Sequence, residues 1–203
     1  MPEAKPLHQL RAKRTRSQLL DAARTVFSRQ GYAGTTVDDI AEAAGVSKGS
    51  FYFHFATKED ALLELISAWA EEVVRQIEPL PKRKATLNET IDGLLSTGGT
   101  TWKPALLLEF WTQAGHSPRV QEAVASAERA WRGTATKVLA RAQSSGLLGP
   151  AATTESALSA LVALRGGLIA QATLNSTAVS RRAGRRAVRA LLEPTTARRR
   201  RAG

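Results

Sequence analysis

Three features of this chain predict an all-α fold: apolar residues recurring at helical spacing in successive segments, few runs rich in Val, Ile, Thr and Tyr, and helix start and stop signals between the segments. Hydrophobic residues form 43% of the 203, aromatics only 5%, and Ala and Leu are abundant, a composition that favours helices over sheets. The length suffices to bury a core, in one domain or in a small domain of about 50 residues joined to a larger one.

The elements follow in order. Leu19, Leu20, Ala23, Val26 and Phe27 share one face of a helix over 15–30, which Gly31 ends in the left-handed cap conformation. Thr36 caps a short second helix; Asp39, three residues on, completes a capping box, and Val37, Ile40, Ala41 and Ala44 make the apolar stripe up to Gly45. Ser47 then caps a third helix of barely two turns, KGSFYFH, with Phe51 and Phe55 four apart. Thr57 caps a fourth, which carries Leu62, Leu65, Ile66, Trp69 and Val73 and is stopped by Pro79 and Pro81. Beyond the PLPKRK linker the rhythm continues through Leu87, Ile91, Leu94 and Leu95, then through Leu106, Leu107, Phe110, Trp111 and Ala114, with GGTT at 98–101 between the two. Ser117-Pro118 opens a long helix that runs through Val120, Val124, Ala127, Trp131, Ala135, Val138 and Ala142 to Gly146. Two last helices are expected over about 153–175 and 178–192.

The net charge of +11 is unevenly spread. Residues 1–58 hold nine Lys/Arg against five Asp/Glu, residues 59–175 eleven against twelve, and residues 176–203 nine against one. Basic ends around a near-neutral middle suggest that the ends meet a polyanion. The run Arg198 to Arg201 reads instead as a solvated, disordered tail, because like charges repel and build no core. The absence of Cys excludes disulfides and thiolate chemistry, and His8, His54 and His116 share no metal-ligand spacing. No Ser/His/Asp set, glycine-rich phosphate loop or paired-carboxylate motif marks an enzyme. No run of eighteen apolar residues and no leader-like N-terminus appear, so a cytoplasmic protein without membrane or cofactor is expected.

Two short helices joined by a tight glycine turn are the helix-turn-helix, whose second helix enters the DNA major groove, and segment 36–55 has that form. The stretch TVDDIAEAAGVSKGSFYFHFATKEDALL, preceded by RTRSQLLDAARTVFSRQGYAGT, closely resembles the N-terminal domain of TetR-family regulators over residues 13–66. The resemblance implies operator contacts from Lys48 and Ser50 at base edges and from Tyr52, His54 and Lys58 at phosphates, although Lys48 suits phosphate equally well. Gly49 removes a side chain from the leading edge, so DNA can come close. Thr36 lies where free N–H groups and a positive dipole end make a phosphate seat, a role compatible with capping. Lys13, Arg14 and Arg16 form a basic stretch where the family often touches the flanking backbone or minor groove; alone, such a trio is a solvated face.

The later part shows only the family's helix rhythm. In the helix over 153–175, Leu158, Leu161, Leu168 and Ile169 form one face, and Ala160, Ala163, Gly167 and Ala170 a small-residue face that another helix can approach. With the helix over 178–192 this makes half of a four-helix homodimer interface, as the resemblance implies. Trp102, Phe110, Trp111 and Trp131 concentrate in the middle segment beside His116, Arg165 and Gln171, which makes them candidates for lining a pocket for a small hydrophobic or amphipathic effector, or else core. Arg165 falls on the apolar stripe, where a buried cation needs a carboxylate partner or an anionic ligand. The expected organisation is a basic arm over 1–12, the helix-turn-helix over 13–60, an effector and dimerisation domain over 61–193, and a tail over 194–203. A sequence-specific repressor bound to double-stranded operator DNA and released by an effector follows; a regulator without a ligand and a nonspecific DNA binder are the alternatives.

Overall fold

The computed structural model describes residues 4–80, 85–99, 101–148, 153–174 and 181–192. Among them the chain forms nine α-helices: α1 Ala4–Gln30, α2 Val37–Ala44, α3 Lys48–His54, α4 Lys58–Ile77, α5 Leu87–Leu94, α6 Pro104–Ala114, α7 Pro118–Ser144, α8 Thr154–Leu174 and α9 Arg181–Leu192. One expectation is thereby adjusted: the basic segment ahead of residue 15 continues α1 back to Ala4. Val179 and the tail over 194–203 lie outside the described residues.

The helices sort into two compact units. The first comprises residues 1–71 and 100–128, the second residues 72–99 and 129–203. In the first, α1 packs on α2, α3 and α6. Leu19, Ala22, Ala23, Val26 and Phe27 form its buried stripe at the spacing of one helical face. Gly31 ends the helix at φ +76°, its N–H donating to Phe27 O. The next N–H, that of Tyr32, donates to the Glu109 carboxylate of α6 at 3.0 Å, and Phe110 beside it packs on Trp69 and Trp102 with ring centres 5.9 and 6.5 Å away. These contacts place α6 in the same unit as the N-terminal helices although it lies far along the chain. Arg119, at the start of α7, ties in likewise through Glu59 and Asp60 at 2.9 and 2.8 Å.

In the second unit α9 packs on α5 and α8. A capping box between Thr86 and Glu89 starts α5, which buries Ile91 and Leu94. The later part of α7 buries Trp131, Ala135, Val138, Leu139 and Ala142. α8 buries Ala157, Leu161, Arg165 and Ile169, each four residues after the last, while Leu158 and Leu168 are only half-buried. Ala163 and Gly167 are exposed and Ala160 and Ala170 half-buried. Among the described residues α8 is also the one helix long and apolar enough, by length and composition, to cross a membrane. The sequence reading missed that property because Ser, Arg and Thr interrupt its apolar runs. Gly184 of α9 faces Leu168 of α8, where a Cβ would stand 3.4 Å away, in van der Waals contact.

Candidate nucleic-acid interface

The turn between α2 and α3 is built from caps. Thr36 accepts the Asp39 N–H, and the Asp39 carboxylate accepts the Thr36 N–H and hydroxyl, both at 2.8 Å. Those hydrogen bonds hold the Asp39 carboxyl below its ordinary range. Gly45, at φ +66°, closes α2 with its N–H on the carbonyls of Ala41 and Glu42. Ser47 then caps α3 by accepting the Ser50 N–H at 3.1 Å. Only seven residues long, α3 has few internal hydrogen bonds of its own. It is anchored instead by Phe51 and Phe55, both buried, with ring centres 5.5 Å apart.

That anchoring decides what faces outward. Lys48, Gly49, Tyr52 and Phe53 are exposed, with Ser50 and His54 half-buried at their side. The Lys48 ammonium donates to the Asp38 carboxylate at 2.8 Å, which raises its pKa. Both ends of this pair are well exposed, so a phosphate or base edge can displace the carboxylate at little loss. Nothing inside the chain requires glycine at 49: a Cβ there would meet only the Ser47 hydroxyl, at 3.8 Å. A glycine in an exposed helix costs roughly 0.5–1 kcal/mol relative to alanine, so its use here points to an outside surface that comes close.

Tyr52 is 51% exposed and Phe53 72%. Phe53 is the residue the sequence reading overlooked, and the signal was present: with Phe51 and Phe55 buried, the position midway between them must project from the opposite side of the helix. The ring of Phe53 meets His54 edge-on at 5.0 Å. Burial, with the nearby Arg16 charge, lowers the His54 pKa, so the imidazole is neutral at pH 7 and offers a single N–H donor.

The other expected DNA contacts are partly occupied. Thr36 is engaged in its cap, and the phosphate seat at the start of α2 carries two carboxylates, Asp38 and Asp39. Lys58 donates to the carbonyls of Tyr32 and Thr35 at 2.7 and 2.6 Å and lies over the Tyr32 ring, leaving one of its three N–H groups for DNA. Burial pushes its pKa down. Arg16 is paired with both carboxylate oxygens of Glu64 and stacks on Phe55, which separates it from Lys13 and Arg14, both exposed on α1. Trp102 and Phe110 pack with Trp69 in the first unit, Trp131 and Arg165 stack in the second, Trp111 is half-buried, and His116 and Gln171 are exposed.

A capped two-helix turn whose second helix buries its phenylalanines and presents Lys, Gly, Tyr and Phe outward defines a helix-turn-helix DNA-binding transcriptional regulator. The chain belongs to the TetR family. Residues 19–65 match the family described as bacterial regulatory proteins, tetR family, and residues 81–197 match the C-terminal region of BetI-type transcriptional repressors. The transcriptional regulator TcmR of Streptomyces glaucescens is 42% identical over 80 residues, a match that spans 39% of this chain and 35% of that protein. Among solved structures, a transcriptional regulator from Saccharomonospora viridis in complex with choline superposes with a TM-score of 0.73 at 22% identity, covering 87% of this chain and 94% of that one. The regulator FadR from Bacillus subtilis, in complex with stearoyl-CoA, gives 0.64 at 20% identity, covering 87% and 97%. At such identities these two structures speak for the fold alone.

Proposed function

We propose that this protein is a cytoplasmic repressor that binds a two-fold operator as a homodimer and leaves it when a small hydrophobic or amphipathic effector binds. The observation that carries the DNA reading is the outer face of α3, where Gly49 opens the leading edge between Lys48 and the exposed rings of Tyr52 and Phe53. Lys48 and Ser50 are assigned to base edges, Tyr52, His54 and the remaining N–H of Lys58 to phosphates, and Arg14 to the flanking backbone. Phe53, which has no polar atom, adds apolar contact. The dimer is supported by α8, whose exposed Ala163 and Gly167 leave room for a second helix, and by the need of a helix-turn-helix for two half-sites roughly 34–36 Å apart.

Release requires an effector that favours the DNA-incompetent state; a preference of about 100-fold weakens operator binding by up to that factor, roughly 2.7 kcal/mol. The choline and stearoyl-CoA complexes of its structural neighbours support a ligand-responsive reading without naming this ligand. The test is to select DNA fragments with the purified protein and measure affinity for selected and scrambled fragments at fixed salt. A repressor discriminates by about a thousandfold or more. Affinity that ignores sequence would leave a nonspecific DNA binder, and operator affinity unmoved by a broad metabolite panel would leave a regulator without a ligand.

A further inference from the structure

Trp131 on α7 and Arg165 on α8 are stacked inside the second unit: Trp131 is 2% exposed, Arg165 is 6% exposed, and the guanidinium carbon lies 4.1 Å from the centre of the indole ring. Among the described residues no acceptor reaches the buried indole Nε1–H. A buried indole N–H ordinarily has one, because stripping its water without replacing the hydrogen bond is costly. The same two helices bury Ala135, Val138, Leu161 and Ile169, so the polar pair shares its helices with aliphatic side chains.

Both members of the pair are donors only. A quaternary ammonium, by contrast, is held on the faces of aromatic rings. The segments of the second unit, 72–99 and 129–203, contain no aromatic residue besides Trp131, and its face already carries the chain's own guanidinium. In the first unit Arg24 lies over Trp102 in the same way, 5.8 Å from its ring centre.

We infer that Trp131 and Arg165 form the head-group subsite for the effector, and that the effector is an aliphatic molecule ending in a carboxylate or carbonyl oxygen, not a quaternary ammonium such as choline. The indole N–H donates to that oxygen, the guanidinium favours negative charge beside it, and the aliphatic side chains of α7 and α8 take the chain. The inference rests on the effector-released regulator proposed above and adds the class of ligand.

The test uses full-length protein, its selected operator, and four probes that share or lack the head group: decanoate, methyl decanoate, decyltrimethylammonium and choline. Calorimetry reads binding and a gel-shift titration reads operator release. Decanoate is expected to bind best and release the operator, methyl decanoate to follow, and the two ammonium compounds to bind roughly tenfold or more weakly, since a cation must be buried beside a cation. Trp131→Phe keeps the stacked ring and removes the N–H, so decanoate affinity should fall about five- to tenfold with operator affinity unchanged. Arg165→Gln should narrow the gap between decanoate and its methyl ester. An ammonium compound that binds as tightly as decanoate, no binding by any probe, or a Trp131→Phe protein with unchanged decanoate affinity would overturn the inference. Loss of operator recognition in the wild-type control is a separate result, and it would count against the regulator itself. Should Trp131→Phe impair operator binding, the head-group ranking on the wild-type protein decides.

Discussion

α3 and α8 both leave a face exposed, and the two faces are opposite in kind. α3 has seven residues, is held by caps and two buried phenylalanines, and presents a lysine, a glycine and two aromatic rings. α8 has 21 residues, buries a stripe of four, and presents the small residues Ala163 and Gly167 on the other side. A mixed cationic and aromatic surface suits a polyanion with sugar and base edges. A stripe of small apolar residues suits close approach by another helix. What a helix leaves exposed, more than what it buries, tells the class of its partner.

That contrast breaks most directly on α3. Replacing Lys48 and Tyr52 together by Ala should lower operator affinity by roughly a hundredfold or more at fixed salt and leave thermal stability near that of the parent, because both side chains are exposed. A double variant that still protects its operator fully would move the reading head elsewhere. The matching change on α8 is Gly167→Leu. A Cβ at 167 meets nothing within 4 Å of its own chain, so the protomer should fold while the dimer weakens by about tenfold or more in sedimentation. An undisturbed dimer would take the interface off this face.

Two smaller effects sharpen the comparison. Gly49→Ala should stabilise the protein by about 0.5–1 kcal/mol and at the same time weaken operator binding, since the added methyl has room in the free chain but not against DNA. A gain in both quantities would mean that the leading edge of α3 does not meet DNA. Thr36→Ala should cost about 1 kcal/mol through loss of the α2 cap. Its pH dependence has a definite sign. Asp39 has a lowered pKa in the fold, so its share of the cap is complete above the unfolded carboxyl value of about 4 and is lost as pH falls through the lower folded value. The gap between urea melts of parent and variant should therefore narrow as pH falls through that lowered value, leaving the part carried by the Asp39 N–H on the Thr36 hydroxyl; a gap constant down to about pH 2 would mean that the hydroxyl's bond to the Asp39 carboxylate adds nothing to the cap.

The short helices were legible because their signals are local. Thr36 with Asp39, Gly45 and Ser47 each act within four residues, and the spacing of Phe51 and Phe55 marks the inner face of α3. The same spacing sets Phe53 on the outer face, midway between the two buried rings. The start of α1 is not legible because residues 4–14 carry no apolar stripe; the helix is continued there by backbone hydrogen bonding ahead of a packed segment.

By itself the sequence determined the succession of helices, the helix-turn-helix and its family, since periodicity, capping and a contiguous motif are properties of neighbouring residues. Only the tertiary structure decided which polar groups remain available to DNA. Lys58 is turned to the carbonyls of Tyr32 and Thr35, and Arg16 to Glu64, 48 positions away. It also decided that Glu109 would hold the N–H of Tyr32 across 77 positions, drawing α6 into the unit of the reading head, and that Trp131 would stack on Arg165. The physical reason is the same in each case: a helical pattern specifies which face seeks cover, whereas the partner that covers it depends on side chains brought together only when the whole chain has folded.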